Sequence, residues 1–590
     1  MHIPQRTHYA GSLRAEHIGQ KVIINGWIDS NRDLGGLLFL DVRDREGVAQ
    51  CVVEPSEATM YLYEEGKRLR SEFVVSIEGL VRKRSNPNSK MPTGQVEILI
   101  SSIQVLNESE VPPFVIEEEV KAGEELRLKY RYLDLRRPSL LQNLMRRHKI
   151  TQSIRNYFDA KGFVEVETPM LMKATPEGAR DFLVPSRLHH GEFYALPQSP
   201  QIYKQILMVA GLDKYFQITK CFRDEDLRAD RQPEFTQLDV EISFPDEEIV
   251  YEAMEGCLRK VWEDVGFVLP KFPRYSYKEV MERFGSDKPD LRFELEIRTL
   301  TDLLRGKTEF KVFNEALETK QGVIACIVAP GCAAWSRKQL DELTEHAKLF
   351  GAGGLVWLKV TDAGIDSSAK KFLSAELMQE IANASKASVG DLILIAVHQK
   401  WSRAYTIMGA LRSEIAKRLK LTEGKAFEFA PLWVLNFPMF ELDEATGIYN
   451  SMHHPFTSPV VEDWENKTDD LAAIRARAYD IVVNGYELGS GSIRIHDRKL
   501  QSEIFDMLGL SKEEQQKKFG FMLDAFRYGA PPHGGMALGI DRIAMLCCGT
   551  DNIKDVVAFP KTTSMQGLME NCPSPVDPRQ LREVGIKLGQ

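Results

Sequence analysis

The sequence lacks the features that mark zinc-binding, secreted and membrane-spanning proteins. None of its eight cysteines stands at the C-x-x-C spacing of a structural zinc site, and their scatter is typical of reduced thiols in the cytoplasm. The first residues, "MHIPQRTHYAGSLRAEHIG", contain no apolar core of a signal peptide. No uninterrupted apolar run approaches the length of a membrane helix. These absences predict a cytoplasmic protein with no membrane partner.

The sequence also lacks an excess of positive charge. Its formal net charge is −9, whereas a dedicated nucleic-acid-binding domain is usually basic. A local basic patch can still steer a polyanion on an acidic protein, so the net charge leaves nucleic-acid partners open. The length of 590 residues predicts three or four domains.

Short stretches of strand-forming residues fill the first hundred positions. Five of them, separated by turn residues, are "KVIINGWI", "LLFLDVRD", "VAQCVVE", "FVVSIEGLVRKR" and "GQVEILISSIQVL". Five strands in so short a segment fit the OB-fold, one face of which often binds single-stranded nucleic acid. Arg32, Phe39 and Gln50 are candidates for such a face, although the position of Phe39 inside "LLFLD" by itself favours a place in the core.

A charged linker, residues 107–138, leads into a longer region of helices and strands. An amphipathic helix begins near Ser139 and ends before Gly162, which suits the C′ position of a helix. Residues 192–244 give the pattern strand, helix, strand, charged tip, strand. Residues 291–418 alternate strands and helices like a separate α/β insert, after which strands resume.

The charged tip is the most unusual stretch of the chain. In "CFRDEDLRADRQPEF", residues 221–235, seven of the nine positions from Arg223 to Arg231 are charged. A solvated hairpin tip is the simple interpretation, and a polar site that grips a charged substrate is the alternative. These residues alone leave both open.

Three stretches, taken in order, resemble motifs 1, 2 and 3 of the class II aminoacyl-tRNA synthetases. They are the helix followed by "KGFVEVETPML", the charged tip followed by "TQLDVEISF", and "GGMALGIDRIAML". The strings "TPEGARDF", "LPQSPQIYKQ", "HHPFT" and "NGYELGSGSIRIH" narrow the resemblance to the bacterial-type aspartyl enzymes of subclass b. The resemblance covers nearly the full length.

The resemblance implies a multi-domain α+β fold. It has an OB-fold β-barrel, a catalytic domain built on an antiparallel sheet with flanking helices, and an α/β insertion domain. The implied domains are the anticodon-binding barrel (1–106), the hinge (107–138), the catalytic part with motifs 1 and 2 (139–290), the GAD-like insertion (291–418), the catalytic part with motif 3 (419–560) and a C-terminal extension (561–590). A homodimer is implied because motif 1 forms the dimer interface in this class.

The implied reaction joins L-aspartate to the 3′ end of tRNA-Asp in two steps, through an aspartyl-adenylate made from ATP. A carboxylate that attacks a phosphate needs fixed cations, and a guanidinium holds two oxygens at once. Arg223 and Arg542 match the catalytic arginines of motifs 2 and 3. Asp480 and Glu487 would support Mg²⁺ on the phosphates. The further positions implied to contact ATP are Asp224, Glu225, Gln232, Phe235, Glu487, Gly539, Ile540 and Asp541.

The amino-acid pocket must hold a side-chain carboxylate and reject the amide of asparagine. Fixed cations do this because a neutral amide leaves them badly paired, and Lys204 and Arg494 match the family's pair. Glu177 lies in a loop that resembles the family's flipping lid. The positions implied around the rest of the aspartate are Glu177, Gln201, Arg223, Asp239 and His453.

On the barrel, the resemblance makes Phe39 a stacking platform for an unpaired anticodon base. The residues implied to read base edges are Arg32, Gln50 and Glu97. Relatives that charge both tRNA-Asp and tRNA-Asn tend to carry His where this chain has Leu34, which favours tRNA-Asp alone.

Several other functions fit the sequence less well. A non-discriminating enzyme that charges both tRNAs is the nearest alternative. A catalytically inactive RNA-binding paralogue should have lost Arg223, Arg542 or the acidic pair Asp480 and Glu487, and all of them are present. The cations Lys204 and Arg494 argue against an asparaginyl-type pocket, which binds a neutral amide, and against a lysyl-type pocket, which binds a cation.

Overall fold

The structure is a computed structural model that describes residues 3–174, 178–443, 445–468 and 470–588. They form two compact units, one of the residues up to 145 with 554–574, the other of 146–553 with the residues from 575 on. Within the described ranges, no helix is both long and apolar enough to cross a membrane. All eight cysteines are free thiols.

The first unit contains a closed five-stranded barrel, which confirms the predicted OB-fold architecture. Its strands close in the order β1-β2-β3-β5-β4 and are β1 (Lys21–Leu34), β2 (Leu37–Asp44), β3 (Gly47–Val53), β4 (Val74–Lys83) and β5 (Val96–Asn107). Side chains alternate across a strand, so Leu38 and Leu40 enter the core. Phe39 lies between them and is only half-buried, so the core placement that its sequence position favours is wrong.

Several short helices and one long helix lie before, between and after the strands of the barrel in the chain. They are α1 (Met60–Arg68), α2 (Glu124–Lys129), α3 (Arg131–Asp134) and the long α4 (Pro138–Ala160), with 3₁₀ turns at Ala10–Ser12 and Ala15–His17. Arg131 is buried, pairs with Asp134 and donates to carbonyl groups within residues 554–558. Gly162 follows α4 with φ of +75°, the left-handed conformation expected at the predicted C′ position.

An eight-stranded sheet and a five-stranded sheet organise the second unit. Its strands are β6 (Val164–Glu165), β7 (Leu183–Pro185), β8 (Phe193–Ala195), β9 (Lys214–Phe222), β10 (Glu234–Ser243), β11 (Arg274–Ser276), β12 (Arg298–Thr299), β13 (Val323–Ala329), β14 (Val356–Thr361), β15 (Gly364–Ser367), β16 (Leu392–His398), β17 (Pro431–Leu435), β18 (Phe440–Asp443), β19 (Ile448–Ser451), β20 (Ala478–Val483), β21 (Tyr486–Ile493) and β22 (His533–Gly539). Its helices are α5 (Gln201–Val209), α6 (Glu247–Asp264), α7 (Tyr277–Phe284), α8 (Thr301–Leu304), α9 (Lys311–Leu317), α10 (Arg337–Lys348), α11 (Ala375–Ser385), α12 (Trp401–Arg418), α13 (Val461–Glu465), α14 (Arg498–Met507), α15 (Lys512–Ala525), α16 (Ile540–Cys548) and α17 (Pro578–Glu583). Further 3₁₀ turns are Leu471–Ala473, Phe526–Tyr528 and Ile553–Asp555.

The larger sheet runs in the order β11-β17-β20-β21-β22-β10-β9-β6. Its inner pairs are antiparallel, as predicted, and only the two edge pairs, β11 with β17 and β6 with β9, are parallel. The strand predicted over "FVEVETPML" is reduced to Val164–Glu165. The Val166 N–H still donates to the Phe216 carbonyl, and the chain then leaves the sheet edge. Pro169, further along, has no N–H with which to resume the pairing.

The smaller sheet belongs to the α/β insert that the sequence predicts. Its order is β12-β13-β16-β14-β15. Both faces are covered, because α10 and α12 contribute to one hydrophobic cluster and α9 and α11 to the other. Neighbouring residues of β13, Ala325 and Cys326, enter opposite clusters, which explains why this strand is apolar without alternation.

Candidate active site

The centre of the larger sheet forms one wall of a cavity of about 470 Å³, a size typical of small-molecule sites. Side chains from β10, β20, β21, β22, α5 and the first turn of α16 meet there. The predicted residues that line it are Gln201, Lys204, Arg223, Glu225, Gln232, Phe235, Asp239, His453, Asp480, Glu487, Arg494, Gly539, Asp541 and Arg542. The fold therefore brings most of the predicted positions together.

Three predicted positions are not among the described lining. The backbone N–H of Asp224 donates to the carbonyl of Arg180, and its carboxylate lies 3.6 Å from the Arg180 guanidinium. Ile540 is fully buried at the start of α16. Glu177 lies outside the residues that the structure describes.

Four buried charges form a quartet: Lys204, Asp239 and Arg494, which line the cavity, and Glu241, which pairs with the two cations but is not part of the lining. Lys204 Nζ lies 3.0 Å from Asp239 Oδ1 and 3.5 Å from Glu241 Oε2. Arg494 grips the same Glu241 carboxylate through Nε at 3.0 Å and Nη2 at 3.2 Å. None of the four is more than 2% exposed. Buried charges persist only when they are paired and hydrogen-bonded, and here each has a partner of opposite sign.

The two carboxylates of the quartet differ in proton affinity. Burial raises the pKa of Asp239 above its usual value, although Lys204 acts against it. Burial acts in the same direction on Glu241, but Arg494 and Lys204 outweigh it and hold the pKa of Glu241 below its usual value. Glu241 is therefore a permanent counter-ion of the two cations. Asp239 Oδ2 is buried without a hydrogen-bond partner among the described residues, so it is ready to accept from a bound donor.

Glu241 is a member of the quartet that our sequence reasoning missed. A signal was present, because Asp239 and Glu241 alternate in "LDVEI" and so share one face of a strand, where two acids are rarely buried without a role. The glycines of β22 gave a second signal. A Cβ atom at Gly535 would stand 2.4 Å from Glu241 Oε2 and 2.0 Å from the Val240 carbonyl oxygen, so only glycine leaves room for the carboxylate.

The two neighbouring histidines have different partners. His454 Nε2 lies 2.7 Å from Arg494 Nη1. Burial, and then the charge of Arg494, hold the pKa of His454 well below its usual value, so the neutral ring accepts a hydrogen bond from that arginine. His453 Nε2 instead lies 3.3 Å from Asp480 Oδ1. Burial acts to lower the pKa of His453, but the Asp480 carboxylate outweighs it and raises that pKa.

Two arginines from distant parts of the chain also line the cavity. The guanidinium of Arg223 lies over the Phe235 ring, 5.0 Å from its centre. Arg542 donates to the Glu487 carbonyl oxygen at 2.6 Å and to the carboxylate of Asp230 at 3.1 Å. Asp230 belongs to the charged tip and lines the cavity, so the tip is more than a solvated hairpin.

Two carboxylates of the cavity fit the predicted magnesium site. Asp480 and Glu487 stand on the neighbouring strands β20 and β21, and both line the cavity. Burial, and to a smaller extent the charge of Glu487, act to raise the pKa of Asp480. Within the described ranges no group of three His, Cys, Asp or Glu residues could hold a metal alone. Mg²⁺ often takes one or two carboxylates and completes its shell with substrate phosphates and water, so this donor set suits it.

The predicted anticodon residues are neighbours in the barrel wall, where Arg32 is exposed, Phe39 is half-buried, and Gln50 and Glu97 are buried. Register pairs Arg32 with Phe39 across β1 and β2. Arg32 donates to Asp41 at 2.7 Å, and Gln50, opposite Asp41 on β3, donates to Glu97 at 2.8 Å. A half-buried aromatic ring beside polar side chains that hold one another in place is an arrangement suited to an unstacked base.

Comparison with protein families gives two matches. A family described as "tRNA synthetases class II (D, K and N)" matches residues 123–563, and one described as "OB-fold nucleic acid binding domain" matches residues 22–106. The aspartate–tRNA ligase of Macrococcus caseolyticus is 50% identical over 99% of this chain and 98% of its own. The aspartate–tRNA(Asp/Asn) ligase of Caldanaerobacter subterraneus subsp. tengcongensis has the same identity and the same two coverages.

Solved structures with the same fold are more distant in sequence. The asparaginyl-tRNA synthetase of Pyrococcus horikoshii with asparaginyl-adenylate has a TM-score of 0.58 at 20% identity, covering 95% of this chain and 99% of that one. A putative aspartyl-tRNA synthetase of Leishmania major has a TM-score of 0.59 at 18% identity, covering 95% and 94%. At this identity the likeness establishes the fold.

The quartet predicts a large loss of stability when Glu241 loses its charge. Glu241→Gln leaves two buried cations short of a carboxylate, which typically costs about 3–5 kcal/mol. The Tm of the purified variant should fall markedly at pH 7. Because the folded-state pKa of Glu241 is depressed, the difference from the wild type should shrink as the pH falls below the usual pKa of glutamate.

The matched control for this change is Glu248→Gln, which breaks an exposed ion pair with Arg274. Exposed pairs contribute about 0–1 kcal/mol, so this variant should keep a wild-type Tm. Equal Tm values for the wild type and both variants would contradict the role given to the quartet.

Proposed function

The chain belongs to the class II tRNA synthetases, and we propose that it is an aspartate–tRNA ligase that activates L-aspartate with ATP and esterifies tRNA-Asp. The observation that supports L-aspartate as the substrate is the quartet. Its two buried cations, Lys204 and Arg494, line the cavity and are held by Asp239 and Glu241. Relatives named aspartate–tRNA ligase at 50% identity over nearly the whole chain support the assignment.

The quartet can select aspartate by exchanging partners. The side-chain carboxylate of the substrate would bind Lys204 and Arg494. Its ammonium group would bind Asp239 at Oδ2, which has no hydrogen-bond partner within the described part of the chain. Asparagine would bring the same ammonium but no second carboxylate, so Lys204 would be left with less negative charge than before. A buried cation without its counter-ion is costly, and this penalty rejects the amide.

Arg223 and Arg542 are the proposed catalytic residues. Attack of the α-carboxylate on the α-phosphorus forms one P–O bond and breaks another, and pyrophosphate leaves. Arg223 would hold the carboxylate and the α-phosphate together, while Arg542 would bind the departing phosphates. Mg²⁺ held by Asp480 and Glu487 would supply charge neutralisation on the phosphates. Positioning and fixed charge then perform most of the catalysis.

The remaining predicted contacts complete the ATP and aspartate sites. The adenine would stack on Phe235, which lies beneath Arg223. Contacts to the rest of ATP are proposed for Asp224, Glu225, Gln232, Gly539, Ile540 and Asp541, and contacts to the aspartate for Glu177, Gln201 and His453.

The barrel is the proposed reader of the anticodon, through Phe39 and the polar residues beside it. We propose the domain boundaries given by the resemblance, with the helix of motif 1 as the interface of a homodimer. The second candidate function is charging of both tRNA-Asp and tRNA-Asn, because relatives equally similar to this chain carry the name aspartate–tRNA(Asp/Asn) ligase.

The proposed reaction predicts pyrophosphate exchange into ATP that depends on L-aspartate and Mg²⁺. Arg223→Ala should reduce this exchange by about 10²–10³-fold, the usual effect of removing a group that stabilises the transition state. Arg228→Ala, an exposed arginine of the same tip, is the control and should retain the exchange. Faster exchange with L-asparagine than with L-aspartate would refute the assignment.

The barrel surface predicts that one substitution, Phe39→Ala, weakens the charging of tRNA without affecting the activation of aspartate. Phe39→Ala removes a stacking platform, which is worth about 1–3 kcal/mol per base, so kcat/KM for tRNA should fall about 10–100-fold. Pyrophosphate exchange, which needs no tRNA, should stay unchanged. Tyr61→Ala, which removes an exposed aromatic ring from α1, should leave both unchanged. Normal charging by Phe39→Ala would show that the barrel does not use this ring.

The β1–β2 turn predicts discrimination between the two tRNAs. Leu34 is exposed beside Gly35 and Gly36, whose φ values of +63° and +92° form the tip of the hairpin. We expect efficient charging of tRNA-Asp and little charging of tRNA-Asn in parallel assays. Leu34→His should raise the charging of tRNA-Asn relative to tRNA-Asp. Equal charging of both tRNAs by the wild type would instead establish the second candidate function.

A further inference from the structure

A relay of three hydrogen bonds leads from the cavity into the protein interior. Gln201, which lines the cavity, places its Nε2 3.1 Å from Oε1 of Gln205, one turn further along α5. Gln205 Nε2 lies 3.0 Å from His533 Nε2, and His533 Nδ1 lies 2.7 Å from the Pro531 carbonyl oxygen. Gln205 and His533 are fully buried, so no solvent competes with the relay.

The direction of every hydrogen bond in this relay follows from its inner end. The Pro531 carbonyl can only accept, so His533 Nδ1 carries a proton. Burial lowers the pKa of His533, so the ring is neutral near pH 7 and its Nε2 must accept. Gln205 therefore donates to His533 through Nε2 and accepts from Gln201 through Oε1. Gln201 donates one N–H of its NH₂ group to Gln205, so its carbonyl oxygen stands on the opposite side of the amide and is left for the cavity that Gln201 lines.

An amide carbonyl oxygen beside the cavity is complementary to a cation. Asp239, whose Oδ2 is buried without a partner among the described residues, lines the same cavity. An ammonium group has three donors and no acceptor, so it can use both oxygens. An amide turned the other way would present its NH₂ group and repel the ammonium.

We propose that Gln205 and His533 are positioning residues, which set the amide of Gln201 so that its oxygen accepts from the α-ammonium group of the amino-acid substrate. This inference rests on the proposed function, because it needs a substrate with an ammonium group. Neither residue would touch the substrate. Their contribution is to remove the wrong orientation of Gln201 before the substrate binds.

The test is Gln205→Met, which fills a similar volume and removes both hydrogen bonds. The KM for L-aspartate in pyrophosphate exchange should rise about tenfold, while the KM for ATP stays within about twofold. Succinate carries both carboxylates of aspartate and no ammonium, so its Ki as a competitive inhibitor should also stay within about twofold. A general disturbance of the cavity would instead weaken the binding of aspartate and of succinate together.

Two variants of His533 test the direction of the relay. His533→Gln keeps one donor and one acceptor at this position and should keep the KM for aspartate near that of the wild type. His533→Phe removes both and should reproduce the effect of Gln205→Met. Gln515→Met, another buried glutamine with several hydrogen bonds, controls for a general loss of stability and should leave all three constants unchanged.

The outcomes separate this inference from the proposed function. Wild-type protein that shows no aspartate-dependent exchange refutes the function. Wild-type exchange with an unchanged KM for aspartate in Gln205→Met, or with parallel losses of aspartate and succinate binding, refutes the relay alone. A rise confined to aspartate, absent in His533→Gln and present in His533→Phe, supports it.

Discussion

The grip of Arg494 and Lys204 on one buried carboxylate, Glu241, is the constraint on which the rest of the site depends. Two cations side by side in a protein interior repel each other and have lost their hydration, so neither could stay without a permanent counter-ion. Glu241 meets this need and is not part of the cavity lining, so a ligand does not displace it. Asp239, by contrast, lines the cavity, and in the proposed function it would exchange its partner for the ligand. In this network, Glu241 is the permanent counter-ion of the cations, and Asp239 is the carboxylate that a ligand can reach.

The sheet around the quartet is built to admit these charges. Gly535 on β22 leaves the space that Glu241 Oε2 occupies. A Cβ atom added at Gly491 on β21 would stand 2.4 Å from the Gly535 carbonyl oxygen, so this position also requires glycine. The glycine-rich strings of β21 and β22 are thus a steric consequence of buried charge and of close strand contact. The fold and the site therefore impose the same requirement on the sequence. A larger residue at Gly535 would exclude the Glu241 carboxylate, which the two buried cations need as their counter-ion.

Sequence reasoning succeeded where the chemistry is local in the chain. Alternation and turn residues predicted the barrel, the α/β insert and the end of α4 before Gly162, and the three motifs indicated most residues that line the cavity. It failed where a role arises from pairing in space. Glu241 is not part of the cavity lining, and its pairing with Lys204 and Arg494 joins distant parts of the chain. Gln205 and His533 are separated by 328 residues, so neither segment alone shows that the two side chains meet. Phe39 shows the opposite error, because its apolar neighbours in the chain favoured a core position, whereas in the barrel the ring is only half-buried and is not part of the core.

The charged tip, residues 221–235, contains charges of both signs that pair with one another beside the cavity. A cavity with several unpaired arginines would be unstable without ATP, because like charges repel and desolvation adds to the penalty. Asp230 holds Arg542, and Glu225 holds Arg231 at 3.2 Å. These pairs are partly exposed, so breaking them costs little. In the proposed reaction the phosphates of ATP would take over Arg542 from Asp230. In that proposal, the acidic residues of the tip would keep both arginines in place between turnovers, and Asp230 would hold Arg542 weakly enough to release it to the substrate.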